Sequence, residues 1–268
     1  MKRPPVNPVV LSLLMACALT TAVQAQSPAT TATDPTTALP SLEALTQKLN
    51  NLFRSKASET IMTMKVSTRH FTRELKLQAW SIGEDQSVVI IRSPAREAGT
   101  ATLRTPKGLW NYAPRADRMM RVPNSMLAGS WMGSHFSNED VMRETDYRKD
   151  YNSTVAWDVR DGKRLIKLTM VPNKKTATVY SKMVHWIRPS DSLPVQTDYF
   201  DGSKVAKTMA FSGYKKLGGR TIPTRMEIRP TRKPKESTVV TYDTAKFDIP
   251  IDRSIFTQAG IRRLARRR

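Results

Sequence analysis

Cysteine occurs once in this 268-residue chain, at position 17, and histidine only three times. Cys17 lies in a segment read below as removed, so the mature chain lacks a thiol. That excludes disulfides, a thiol nucleophile and cysteine-ligated zinc. His70, His135 and His185 stand far apart, with no metal-ligand spacing among them. No glycine-rich phosphate loop is present. Gly129-Ser130-Trp131-Met132-Gly133 has its serine misplaced for a hydrolase elbow. Ser134-His135 with Glu139 and Asp140 reads as a polar turn before it reads as a triad. The expectation is a protein without catalysis, metal or cofactor. Beyond the N-terminus no run is apolar enough to span a bilayer, which takes about 20 residues. Acidic residues are also scarce, 23 against 44 basic ones.

The N-terminus has the order of a secretory signal. Lys2 and Arg3 supply positive charge, Val9 to Leu19 form a short apolar core, and Val23-Gln24-Ala25 offers small residues for cleavage. Residues 1–25 are therefore read as a signal peptide, with export to the periplasm and Gln26 as the mature start. Leu14-Met15-Ala16-Cys17 loosely resembles a lipoprotein signal, but Met15 fits it poorly and no polar tether follows. The chain beyond Ala25 keeps 42 of the 44 basic residues and all 23 acidic ones, a net charge of +19. Outside the cytoplasm such a field points to anionic membrane surfaces rather than to nucleic acid.

Residues 26–40, rich in Thr, Ala and Pro, read as a disordered linker. Ser41 is placed to cap a helix carrying Leu42, Leu45, Leu49 and Leu52-Phe53 on one stripe. Roughly ten strands follow by alternation, beginning with Met62, Met64 and Val66 and with Leu75, Leu77 and Ala79. Asp201-Gly202 marks a hairpin, and Pro223 argues for an edge or bulged strand. The strand pattern breaks at 124–146, which reads as two short helices, the second capped by Ser137 or Asn138. The domain is taken as 41–260, with residues 261–268 as a basic tail. So many antiparallel strands must curl and enclose an apolar interior.

Methionine is concentrated in the interruption. Met119, Met120, Met126, Met132 and Met142 fall close together, beside Leu127, Trp131 and Phe136. Flexible, polarisable methionine suits a surface that must fit more than one apolar shape. Core packing explains each of them singly; a ligand-facing lid explains the cluster equally well.

The tract Ser130-Trp131-Met132-Gly133-Ser134-His135-Phe136-Ser137-Asn138-Glu139-Asp140 resembles the LolA-like outer-membrane lipoprotein-sorting family. Leu193-Pro194-Val195, Tyr199 to Gly202, Phe211 to Tyr214 and Gly219 to Thr224 match the same branch. His135 departs from it, standing where that branch usually has aspartate. The resemblance implies a mainly β, unclosed antiparallel barrel with an N-terminal helix and a helical lid over its concave face. It also implies a groove for acyl chains. Met62, Met64, Leu75 and Leu77 of the sheet and Met126, Leu127, Trp131, Met132 and Phe136 of the lid are the expected lining. The implied role is a periplasmic carrier of lipoprotein or lipid between an inner-membrane exporter and an outer-membrane acceptor. A lipid sensor for a membrane-anchored partner, or an accessory to a resistance-nodulation-division lipid exporter, are the alternatives on the same fold. A lipid-modifying enzyme would need a convergent polar constellation in the groove.

Overall fold

In the computed structural model the described residues are 38–266, apart from 54, 84, 143–149, 175 and 177, with the backbone only of Met142. Residues 1–37, read above as a signal peptide and most of a linker, and residues 267–268 lie outside them. Helix α1 (Leu42–Asn50) starts where expected, with Ser41 Oγ accepting from the Ala44 amide at 3.1 Å. Of its stripe, Leu45 is buried and Leu49 half-buried, while Leu42 stays exposed.

Thirteen strands then form one antiparallel sheet. They are β1 (Ala57–Ser67), β2 (Thr72–Ile82), β3 (Gln86–Ser93), β4 (Ala101–Thr105), β5 (Gly108–Ala113), β6 (Arg118–Arg121), β7 (Tyr151–Arg160) and β8 (Lys163–Pro172). The rest are β9 (Lys182–Ile187), β10 (Pro194–Asp201), β11 (Lys204–Leu217), β12 (Arg220–Pro230) and β13 (Ser237–Phe247). Their order across the sheet is 6-5-4-3-2-1-13-12-11-10-9-8-7. The chain begins in the middle, meanders out to β6, crosses to β7 at the opposite edge, and meanders back to β13 beside β1. The two edges never pair, so the barrel is unclosed, as the sequence and its family likeness led us to expect. A bulge between Ile61 and Met62 of β1, opposite β13, helps the sheet coil.

Register defines two faces. Met62, Met64 and Val66 of β1 share the inner face with Leu75, Leu77 and Ile91. On β7–β9 the same face carries Ile166, Leu168, Met170, Met183 and Ile187, covered by Leu45 of α1. The outer face of β3–β5 has its own core of Val88, Ile90, Leu103 and Tyr112.

Several elements differ from the sequence reading. Within the region 124–146, the described residues 124–142 hold single 3₁₀ turns at Asn124–Met126 and Trp131–Gly133, then a short helix, α2 (Asn138–Met142). Ser137 is its cap: its amide donates to Asp140 Oδ2 at 2.7 Å, and its Oγ accepts from the Asp140 amide at 3.2 Å. Pro223 sits in an interior strand, not at an edge. It is accommodated because β12 pairs with β13 only over Arg225–Ile228, so Pro223 needs no amide hydrogen on that side. Residues 261–266 are not a free tail. They are the second half of α3 (Gln258–Arg266), whose Ile261 and Leu264 are buried in the outer core with Phe256. Gly260 permits that packing, since a side chain there would meet the Ser254 carbonyl oxygen at 2.0 Å.

Candidate functional site

The connection from β6 to β7 must pass from one sheet edge to the other, and its described part lies over the inner face. It is held there by polar contacts to strands far apart in the sheet. Trp131 Nε1 donates to Thr102 Oγ1 of β4 at 3.0 Å, and Arg73 of β2 donates to the Met132 carbonyl while pairing with Glu97 at 3.0 Å. Met132 itself is left-handed (φ 49°), a conformation that costs a non-glycine residue about 1 kcal/mol or more. The His135 amide donates to Thr238 Oγ1 of β13 at 3.0 Å, and its ring nitrogens lie 2.8 Å from that oxygen and 3.2 Å from Glu236 Oε2. The bond from His135, with help from the Arg69 amide and Lys233, holds the Glu236 carboxyl below its usual range. Glu139 Oε2 accepts from the Val179 amide at 2.8 Å. Lys207 of β11 donates to Asp140 Oδ2 at 2.5 Å, and Tyr180 donates to Asp140 Oδ1 at 3.2 Å.

Between this strap and the C-terminal end of α1 lies a groove of about 370 Å³ on the inner face. Leu49, Leu52 and Phe53 close one side, and Phe136, Asp140 and Val141 come from the strap. The floor is Met62, Ala79 and Val89 from β1–β3 and Met209, Phe211, Met226 and Tyr242 from β11–β13. Phe53 stacks on Tyr242, ring centres 4.9 Å apart and planes 8° from parallel. Polar groups line it too: Ser58, Thr60, Ser81 and Ser87 on β1–β3, and His185 and Thr197 on β9–β10. His185 Nδ1 lies 2.8 Å from Thr197 Oγ1, and burial presses the imidazole down to about 4, outweighing the opposing carboxylate of Asp198.

Of the nine residues read as groove lining, Met62 and Phe136 line it. Met64, Leu75, Leu77 and Trp131 instead fill a closed core with Val66, Ile91 and Val240, and Met132 packs against them from the strap. Leu127 is buried, while Met126 is 56% exposed at the surface. The lining from α1 and from β9–β13 was missed. Met209, Phe211 and Met226 lie on β11 and β12, and nothing in the sequence distinguishes an open stretch of inner face from a covered one. In the polar tract Ser134 donates to the Trp131 carbonyl at 2.7 Å, and His135 engages Thr238 and Glu236.

The described residues thus form an unclosed antiparallel barrel with a strapped groove on its inner face. A protein-family model described as "-like: Uncharacterized protein" matches residues 83–263. No curated protein matches in sequence. Solved structures that share the fold include the following three. A DUF1329 family protein from Desulfovibrio piger is 24% identical with a TM-score of 0.73, covering 81% of this chain and 96% of its own. An outer membrane lipoprotein-sorting protein domain from Vibrio parahaemolyticus is 19% identical, TM-score 0.70, covering 81% and 97%. A LolA superfamily protein from Nitrosomonas europaea is 21% identical, TM-score 0.69, covering 82% and 98%. The chain belongs to the family whose model matches it, and its fold is that of the LolA superfamily structure.

Proposed function

We propose that this protein is a periplasmic carrier, exported by the cleaved segment 1–25, that takes acyl chains of a lipoprotein or lipid into the strapped groove. It moves them from an inner-membrane exporter towards an outer-membrane acceptor. The observation that carries the reading is the groove itself: apolar side chains from α1, the strap and both halves of the sheet surround about 370 Å³ of space. An acyl chain leaving a bilayer exposes apolar surface at about 0.8 kcal/mol per CH₂. A groove lined by methionine and aromatic rings removes that cost without demanding one chain length. The basic surface keeps the loaded carrier close to anionic membranes. The test is mass spectrometry of organic extracts from protein purified out of its native envelope. Stoichiometric acylated species are expected; an extract free of them, with the protein folded, counts against a carrier.

A further inference from the structure

The groove is not uniformly apolar, and on β1–β3 its polarity runs in one direction. Cross-strand partners on the inner face of β1–β3 form successive rows. Ser58, Ser81 and Ser87 stand in one row, Thr60, Ala79 and Val89 in the next, and Met62, Leu77 and Ile91 in the third. From the first row to the third the inner face passes from three hydroxyls to three apolar side chains, of which Met62 lines the groove and Leu77 and Ile91 belong to the adjoining core. Four residues of strand span about 13 Å. The apolar end leads to the cluster beneath Trp131. Ser58 Oγ and Ser81 Oγ are 2.7 Å apart, so one hydroxyl hydrogen is shared between them and the other remains available to a third group.

Among the described residues the polar lining carries no uncompensated charge. Its one described carboxylate, Asp140, is matched by Lys207 at 2.5 Å and bonded by Tyr180 and by the Ser137 amide. His185 is held neutral by burial. Serine and threonine hydroxyls can satisfy an ester, an amide or an alcohol with ordinary hydrogen bonds. A carboxylate or phosphate taken to the same place would lose its hydration with no unpaired cation of the described lining to replace it.

Resting on the carrier reading, we propose that the groove selects an uncharged acyl linkage of the acylglycerol type. The ester and hydroxyls of the ligand lie on the Ser58–Ser81–Ser87 row, and the chain runs towards Trp131. Charged groups of the cargo stay outside. The test is displacement of a neutral fluorescent acyl probe at pH 8 by a monoacylglycerol and by the fatty acid of the same chain length. The proteins compared are wild type, Ser81→Ala/Ser87→Ala and the hydroxyl-keeping Ser81→Thr/Ser87→Thr. Wild type and the threonine variant should bind the monoacylglycerol about tenfold more tightly than the ionised fatty acid, as one lost polar contact to a charged competitor implies. The alanine variant should lose most of that preference through weaker monoacylglycerol binding, with fatty-acid binding little changed. Equal binding of both ligands by wild type overturns the proposal, and so does an alanine variant that weakens both alike. Failure of the wild type to bind the probe or either lipid overturns the carrier reading, and this proposal with it.

Discussion

At the scale of single residues, His185 links the groove to pH. Burial, the larger cause, presses its imidazole from 6.5 to about 4, and the Asp198 carboxylate only partly opposes this. An unfolded chain takes up a proton on this histidine near pH 6.5, while the folded chain resists until about 4. The group's contribution to stability is therefore intact above 6.5 and is lost as pH falls through the window down to about 4. Urea midpoints measured across that window should fall, and His185→Gln should flatten the fall. An unchanged slope in the variant would remove His185 from the account. Legibility at this scale was uneven. Trp131 and Met132 were recognisable as apolar side chains of a special segment. That Trp131 would plug a closed core while Phe136 faced the open groove depends on the depth to which each side chain enters, which pattern does not encode. Methionine content likewise pointed to adaptability, but the methionines that line the groove are Met62, Met209 and Met226 of the sheet. Of the clustered ones, Met126 is exposed.

The strap is the element on which the site depends. Asp140 and Lys207, 67 residues apart in sequence, form an ion pair with side chains only 6% and 10% exposed. Lys207→Met would leave Asp140 buried without its cation, a loss of about 3–5 kcal/mol in a denaturant titration. Adding Asp140→Asn to that variant should restore much of it, since a neutral amide does not need the ammonium. A single variant as stable as wild type would show that the pair does not anchor the strap. Sequence placed Glu139 and Asp140 at a helix start, where a local cap explains an acid sufficiently. Their partners Val179 and Lys207 become neighbours only through the edge-to-edge crossing. Strand β7 was overlooked for a related reason: as an edge strand it needs little apolar character, and its alternation is diluted by Ser153 and by the 65%-exposed Val159. Helix α3 was hidden by its arginines, although Ile261 and Leu264, three positions apart, were the stripe that docks it.

On the scale of the whole molecule, charge and topology act together. The curled sheet was readable because alternation and turn residues recur along nearly the whole chain, and they imply its closing curvature whatever the strand order. The net charge of +19 beyond Ala25 should give vesicle binding that is strong at low ionic strength and weak at high. Truncating the last residues would not test this cleanly, because it removes Leu264 from the outer core. Replacing the exposed Arg263 and Arg266 by alanine leaves the apolar stripe of α3 in place. Co-sedimentation with anionic vesicles should then decrease, and binding indifferent to both salt and these substitutions would contradict an electrostatic role.

The central claim is that the strapped inner face holds an acyl chain, and the most direct measurement is titration of a neutral fluorescent acyl probe with melting curves alongside. Phe211 lines the groove on β11, whereas Met126 lies exposed outside it. The probe should raise the wild-type melting temperature, since a ligand bound only by the folded state stabilises it. Met126→Asp should keep wild-type affinity, and Phe211→Asp, still folded, should lose about tenfold or more by setting a carboxylate against the chain. Equal affinity in all three folded proteins would contradict the account.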